Sequence, residues 1–401
     1  MHCLVLSDDF PNRIEPWRGP YHRRQFECLS RLCKVSVVDP ITWTRMASNP
    51  RLWGLVGKPD GFLQGVAVDH PVFWYLPVLG RGRHWRGVLG AARRSLAATK
   101  APACDVVLAT FAYPHGLAAK HLADRLGVPY VVKVRGTDLH SLPADGQRQA
   151  LTSKALRDAA AVVAVSRNLA EIAVRLGAPP ERVKVVPNGV DADLFPVAPR
   201  EEARRKLGLA LDGKFVLFVG HLLPVKGIDV LVEAFGQLQR RDSRPENMTL
   251  LVAGDGPLRK WVSGRVARDG LQSSVRLLGH VSRGDVALLM NAADAVILPS
   301  RNEGCPNVVL EALCSGTPVV ASRVGAVPDL LNEECGIIVP PGEAEQLATA
   351  MGAALRRTWD RTTVRRCVEG MSWEANARKL YEILESARSA GPRVQREGRG
   401  E

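Results

Sequence analysis

The chain has 401 residues, 46% hydrophobic and 24% charged, with a formal net charge of +13. This length and composition are expected of two domains with real cores and exclude a wholly disordered chain. No apolar run approaches a membrane span, and the eight cysteines and nine histidines show neither a CxxC pair nor HExxH, so the expectation is a reducing cytoplasm rather than a disulfide or zinc scaffold.

The opening MHCLVLSDD turns acidic too soon for a signal peptide and reads as a buried first strand. Short β-branched runs follow at Val35–Val38, Val106–Ala109, Tyr130–Val134, Ala161–Val165 and Val183–Val186, with helical patterns such as Gly116–Leu126 and Leu169–Leu176 between them. The Pro- and charge-rich stretch 191–212 reads as a linker. The alternation then restarts with Phe215–Val219, Thr249–Ala253, Val275–Leu278, Ala295–Leu298, Pro318–Ala321 and Gly336–Val339, and ends in a helix, Trp373–Arg388. Alternation of this kind predicts an α/β fold of two doubly wound parallel sheets. The expected domains are 1–195 and 196–372, a helix over 373–388 and a disordered tail over 389–401.

Between Asp69 and Asp105 there is no acidic residue. Within this stretch Arg81, Arg83, Arg86, Arg93, Arg94 and Lys100 accompany Trp85, Val88, Leu89, Ala92 and Leu96 at helical spacing. An anionic membrane surface is the partner such a basic amphipathic helix suits. An ordinary domain helix with a solvated basic face fits the same pattern.

Ligands of doubly wound sheets bind beyond the carboxyl ends of the strands, and the unusual residues cluster there. GHLLPVKG follows Phe215–Val219 and sets Lys226 beside a helix N-terminus, an anion site by charge and dipole. GDGPLRKW follows Thr249–Ala253, where Gly254 allows close backbone approach; as a dinucleotide motif it is incomplete. In RNEGCPNVVLEALCSGTPVVAS, a helix from Pro306 or Asn307 leaves Glu303 in the loop and puts Glu311 one turn in, leaning back toward it. The amides of Asn307 and Val308 lie between the two carboxylates. Amides take phosphate oxygens and carboxylates take sugar hydroxyls; capping or ion pairing is the plainer role for such a pair.

These blocks, with VRLLGHV in the same order and FPNRIEPWRGPYHRRQ, TFAYPHGLAAKHLADRLGVPYVVKVRGTDLH and AVSRNLAEIAVRLGAPPERVKVVPNGVDADLF in the first half, resemble retaining glycosyltransferase family four over about residues 1–388. The resemblance implies the GT-B fold, two Rossmann-like domains facing a cleft, the first for the acceptor and the second for the donor. It also implies that Glu311 holds the donor ribose, that Glu303 faces the transferred sugar, and that Lys226 neutralises the departing diphosphate. Gly19 then approaches the phosphates, Gly304, Asn307, Val308 and Gly254 line the donor site, and the base lies near His280 and Val281. His115, Arg135 and Asp138 fall on the acceptor side, His115 among the catalytic residues. The family's arginine is replaced by His221, which makes one permanent cation titratable.

The activity so implied is retaining transfer of a sugar from a nucleoside diphosphate sugar to a glycan or lipid-linked acceptor, in cell-surface polysaccharide or lipid-linked glycan assembly. It needs no metal and no cofactor beyond the co-substrate. The site is cytoplasmic or peripheral on the inner membrane face. A sugar-nucleotide epimerase of the same fold has different motifs in place of the glutamate block. A binding protein impaired in catalysis is favoured by His221 and opposed by Glu303, Glu311 and Lys226. No recognition motif for nucleic acid is present.

Overall fold

The computed structural model describes residues 1–16, 18–57, 63, 65–75, 81–99, 104–140, 142, 146–241 and 244–392. The chain divides into two compact units, Met1–Pro187 with the segment from Trp373, and Asn188–Ser372.

In the first unit, seven described strands form a parallel sheet. They are β1 (His2–Leu6), β2 (Lys34–Val38), β4 (Val66–Asp69), β6 (Val106–Ala109), β7 (Tyr130–Val134), β8 (Ala161–Ala164) and β9 (Val183–Val185). β3 (Ile41–Thr42) and β5 (Val72–Phe73) pair separately. The sheet order is β4-β2-β1-β6-β7-β8-β9. β1, β6 and β8 are buried along their whole length, as continuous Val/Leu/Ala runs require when helices cover both faces. The helix Trp373–Ala390 packs on the helix Pro20–Ser30. Its Trp373, Ala377, Leu380 and Leu384 join a core with Val5, Phe26, Leu29 and Val131.

In the second unit, β10 (Lys214–Val219), β11 (Met248–Ala253), β12 (Val275–Gly279), β13 (Ala295–Leu298), β14 (Val319–Ser322) and β15 (Gly336–Val339) form a parallel sheet in the order β12-β11-β10-β13-β14-β15. Its core joins Phe218 and Val252 to Leu231 and Phe235 of the helix Ile228–Gln239 and to Met351 of the helix Ala344–Arg356. Strand order reverses between β1 and β6 in one sheet and between β10 and β13 in the other. Loops after these strands flank a switch point, where doubly wound folds bind ligands.

Several expectations need correction. The boundary lies at Pro187/Asn188 rather than 195/196. Asn188 belongs with the second unit because its side-chain amide donates to the Cys305 carbonyl and to Asn307 Oδ1, at 3.2 and 3.1 Å. The stretch 191–212 is not a bare linker, since it contains the helix Arg200–Lys206. The buried Arg204 of that helix donates to Asp294 at 2.8 Å and to the carbonyls of Ala292 and Leu211.

Strands β3, β4 and β5 were not anticipated, because they are two to four residues long and too short to show a period. The basic helix forms as His84–Thr99, but Val88, Ala91, Ala92 and Ser95 face inward while Arg83, Arg86, Arg93 and Arg94 are exposed. Its apolar stripe is therefore spent on the core; Lys100 lies outside the described residues. Of the tail, 389–390 continue the last helix and 393–401 lie outside the described residues. Among the described residues no helix is long and apolar enough to cross a membrane.

Candidate active site

The second unit builds its site from the loops after β10 and β13. Gly220 leaves β10, and His221 follows on the surface, its ring making no hydrogen bond or ion pair among the described residues. A 3₁₀ turn, Pro224–Lys226, then runs into the helix Ile228–Gln239 through Gly227. Gly227 has φ +65°, and a Cβ there would lie 2.0 Å from the Pro299 carbonyl oxygen. No other residue fits that contact, which brings the Lys226 turn against the end of β13. The result is a direct pairing across the switch point: Lys226 Nζ donates to Glu303 Oε1 at 2.7 Å, and Ser300 Oγ donates to the same oxygen at 2.7 Å.

Arg301, which the sequence did not single out, fixes the turn from the other side. Its backbone amide donates to Val225 O at 2.8 Å, and its guanidinium to Pro224 O at 2.6 Å. The same guanidinium grips Asp229 through both oxygens at 2.8 and 2.6 Å. The hydrogen bonds from Arg301 hold the Asp229 carboxyl below its ordinary value. Such a two-pronged contact restricts orientation as well as distance.

The helix Asn307–Cys314 starts behind this loop, and Glu311 lies in its middle, 7% exposed. Asn307 and Val308 are its first two residues, whose amides have no carbonyl one turn back within the helix. Glu311 Oε1 accepts from Arg283 Nη2 at 3.2 Å, and Arg283 lies over the Phe195 ring at 5.6 Å. Burial pushes the Glu311 carboxyl up to about 7; Arg283 opposes that shift and Asp191 adds to it. The two carboxylates thus sit in separate networks, Glu303 with Lys226 and Ser300, Glu311 with Arg283. Nothing in the sequence pattern marked Arg283, which lies 28 residues before its partner.

The remaining donor-side residues frame these two. The Gly304 carbonyl accepts from Ala326 N at 2.8 Å, and Gly254 N donates to Gly279 O at 2.7 Å, tying the loop after β11 to the end of β12. Val281 follows, half-buried, just before the helix Arg283–Ala292, which Ser282 caps through Asp285 N.

In the first unit the loops after β1 and β6 flank the other switch point. Gly19 has φ +48°, and a Cβ there would meet the Asp9 carbonyl oxygen at 2.0 Å, so only glycine lets the helix Pro20–Ser30 start against that loop. Asp138 Oδ1 accepts from the amides of Arg135 and Gly136 at 3.1 and 2.9 Å, and Oδ2 from Ala112 N at 3.0 Å. Asp138 therefore ties the loop after β7 to the one after β6. Arg135 hydrogen-bonds the buried His22 and lies over the Phe111 ring at 5.7 Å. Burial, then Arg135 and Lys133, hold His22 well below its ordinary value, so it stays neutral. His115 is 1% exposed, in the turn Ala112–Gly116.

Model matches to known families agree with this geometry. Residues 199–384 match the group 1 glycosyl transferases, and residues 20–189 match the glycosyl transferase 4-like domain. A protein of Bacillus subtilis named as a teichuronic acid biosynthesis glycosyltransferase, TuaC, is 28% identical over 88% of each chain. A D-inositol 3-phosphate glycosyltransferase of Jonesia denitrificans is 31% identical over 67% of this chain and 68% of its own. Among solved structures, Anabaena Alr3699/HepE in complex with UDP superposes with a TM-score of 0.74 at 19% identity, covering 96% of this chain and 99% of its own. Sucrose-phosphate synthase of Thermosynechococcus elongatus gives 0.77 at 21%, covering 97% and 100%. The fold is GT-B, and the chain belongs to glycosyltransferase family four, its residues 199–384 matching the group 1 glycosyl transferases. It is a glycosyltransferase with two Rossmann-like α/β units.

Proposed function

We propose that the protein moves a sugar from a nucleoside diphosphate sugar to an acceptor hydroxyl with retention of configuration, in assembly of a cell-surface polysaccharide or lipid-linked glycan. The observation that carries this reading is the Lys226–Glu303 pair, at 2.7 Å, drawn from the two loops that flank the switch point. An ammonium beside a helix start suits a departing diphosphate, and a carboxylate a few ångströms on suits the hydroxyls of the sugar it leaves behind. Charge that develops on a leaving group is stabilised best by donors already in place. Here these are Lys226, the amides of Asn307 and Val308, and His221 when protonated; this set needs no metal. Glu311, one turn further on, takes the ribose hydroxyls, with Val281 near the base. His115 and Arg135 serve the acceptor, and Asp138 holds their loops.

Related structures described with UDP and UDP-glucose support a nucleotide sugar as donor, and TuaC supports a polysaccharide product. The exposed Arg83, Arg86, Arg93 and Arg94 would place the enzyme on an anionic membrane by charge alone. Flotation with anionic but not neutral vesicles tests that contact. The transfer reading is tested by thermal shift with UDP, GDP, ADP and their sugars. A true donor at a hundred times its dissociation constant adds about 2.7 kcal/mol, and NMR of the product then reads the anomer. Absence of any nucleotide-dependent shift, or an inverted anomer, overturns it.

A further inference from the structure

Cys335 and Cys367 meet in the second unit. Cys335 closes the turn that leads from Asn332 into β15: its amide donates to the Asn332 carbonyl at 3.2 Å, and its own carbonyl accepts from Val319 N at 3.1 Å. Cys367 follows the helix Arg361–Arg366 directly. They stand far apart in sequence, so no motif marks them.

The two thiols converge on one acceptor. Asn332 Oδ1 takes Cys335 Sγ at 3.3 Å and Cys367 Sγ at 3.6 Å. They also lie within hydrogen-bonding reach of each other. Two sulfurs in contact, carried by separate segments of backbone, are the starting arrangement for a disulfide.

Their surroundings give the two thiols different parts. Cys335 is 0% exposed, whereas Cys367 is half-buried and open to small solutes. Burial pushes the Cys335 thiol up to about 12; a backbone hydrogen bond from Asn332 opposes this, and Cys367 adds to it. Such a thiol is inert toward solvent oxidants. It can act on a group already formed at the sulfur beside it.

We propose that Cys335 and Cys367 are a modification site, which a peroxide converts to a disulfide. The Cys367 sulfur attacks one oxygen of hydrogen peroxide and the O–O bond breaks, leaving Cys367 as a sulfenic acid and releasing water. The Cys335 sulfur then attacks the Cys367 sulfur. The S–S bond forms, the S–O bond breaks, and the hydroxyl leaves as water with the Cys335 proton. Both thiols are oxidised and the peroxide is reduced to water. In a reducing compartment a bond of this kind is a transient, redox-sensing one.

The cross-link has a structural target. The helix Arg361–Arg366 packs on the helix Asn307–Cys314, which carries Glu311. Arg365 Nη1 donates to the Cys314 carbonyl at 2.8 Å, and Arg361 Nη2 to the Ser315 carbonyl at 2.7 Å. Oxidation fastens this brace to the turn before β15 and so holds the carboxyl end of the Glu311 helix more firmly. The proposal is independent of the transferase reading.

The test treats the full chain with hydrogen peroxide, blocks the remaining thiols and maps the peptides by mass spectrometry. A Cys335–Cys367 cross-link that dithiothreitol removes is expected. The melting temperature should rise with it, because the bond constrains the unfolded chain. Amide exchange in Arg361–Arg366 should slow about tenfold. Cys335→Ala should leave a dimedone-reactive sulfenic acid on Cys367. Cys367→Ser, at the half-buried position, should form no cross-link, and its melting temperature should not rise on oxidation. Absence of the cross-link in the wild type, cross-links at other cysteines alone, or a cross-link that leaves exchange in Arg361–Arg366 unchanged would overturn the proposal.

Discussion

The Arg283 guanidinium donates to the Glu311 carboxylate at 3.2 Å, yet the carboxyl is pushed up to about 7, because burial outweighs the ion pair. Glu311 is thus a carboxylate whose charge is held at a cost to folding, in the middle of a helix that would otherwise be apolar.

The first prediction follows. A carboxyl raised in the folded state keeps its proton there at pH values where the unfolded chain has lost it. Its stability contribution is complete below the unfolded value of 4.5 and is lost as pH rises through about 7. A shift from 4.5 to about 7, at about 1.36 kcal/mol per unit, amounts to about 3 kcal/mol. Glu311→Gln should therefore gain on the wild type as pH rises from about 5 to 8.5, seen in urea midpoints. The same variant should bind the donor nucleotide at least tenfold more weakly at pH 8, where the wild-type carboxylate is ionised. Parallel stability profiles would remove Glu311 from the first role, and an unchanged affinity from the second.

Arg301→Gln releases the turn that carries Lys226. Both partners of the Arg301–Asp229 pair are about 40% exposed, so the stability loss should be only about 0.5–1 kcal/mol. Turnover should drop more, by about tenfold, because Lys226 is left less well placed. Equal small losses in both quantities would make Arg301 a stability residue alone. The measurement is kcat beside the urea midpoint.

His221 stands exposed after β10, without a protein partner among the described residues. His221→Arg exchanges a titratable side chain for a permanent cation. If this position meets the diphosphate, the variant's donor-saturated turnover should differ from the wild type's at least threefold. Equal turnover would mean that Lys226 and the helix amides serve the leaving group without it.

Arg204→Ala should cost about 3–5 kcal/mol, because it leaves the buried Asp294 with much of its charge uncompensated. Thermal melting of the variant measures this, and a loss under about 1 kcal/mol would show that Arg200, 3.2 Å from the other Asp294 oxygen, carries the pair.

What could be read in advance divides along physical lines. Val106–Ala109 and Ala295–Leu298 have the same limits in the sequence pattern and in the structure, because strands buried on both faces are unbroken apolar runs. The Glu303–Glu311 block was legible for a related reason: helix start and stop signals lie within a few residues of the carboxylates they place. Arg301, Arg283 and Asn188 were not legible, since their partners lie 72, 28 and 119 residues away. Arg204 failed for the opposite reason. In EEARRK a charge run looks solvated, and only its packing on Asp294 shows that one member is inside.

The first unit is interrupted in sequence, and its core takes Trp373, Ala377, Leu380 and Leu384 from the final helix. On the ribosome those residues emerge only after the whole of Asn188–Ser372 has been made. The second unit, one unbroken stretch, can close while the first still has an apolar face uncovered. Domains generally fold in the order of their synthesis; here the half that is begun first is the half that is finished last.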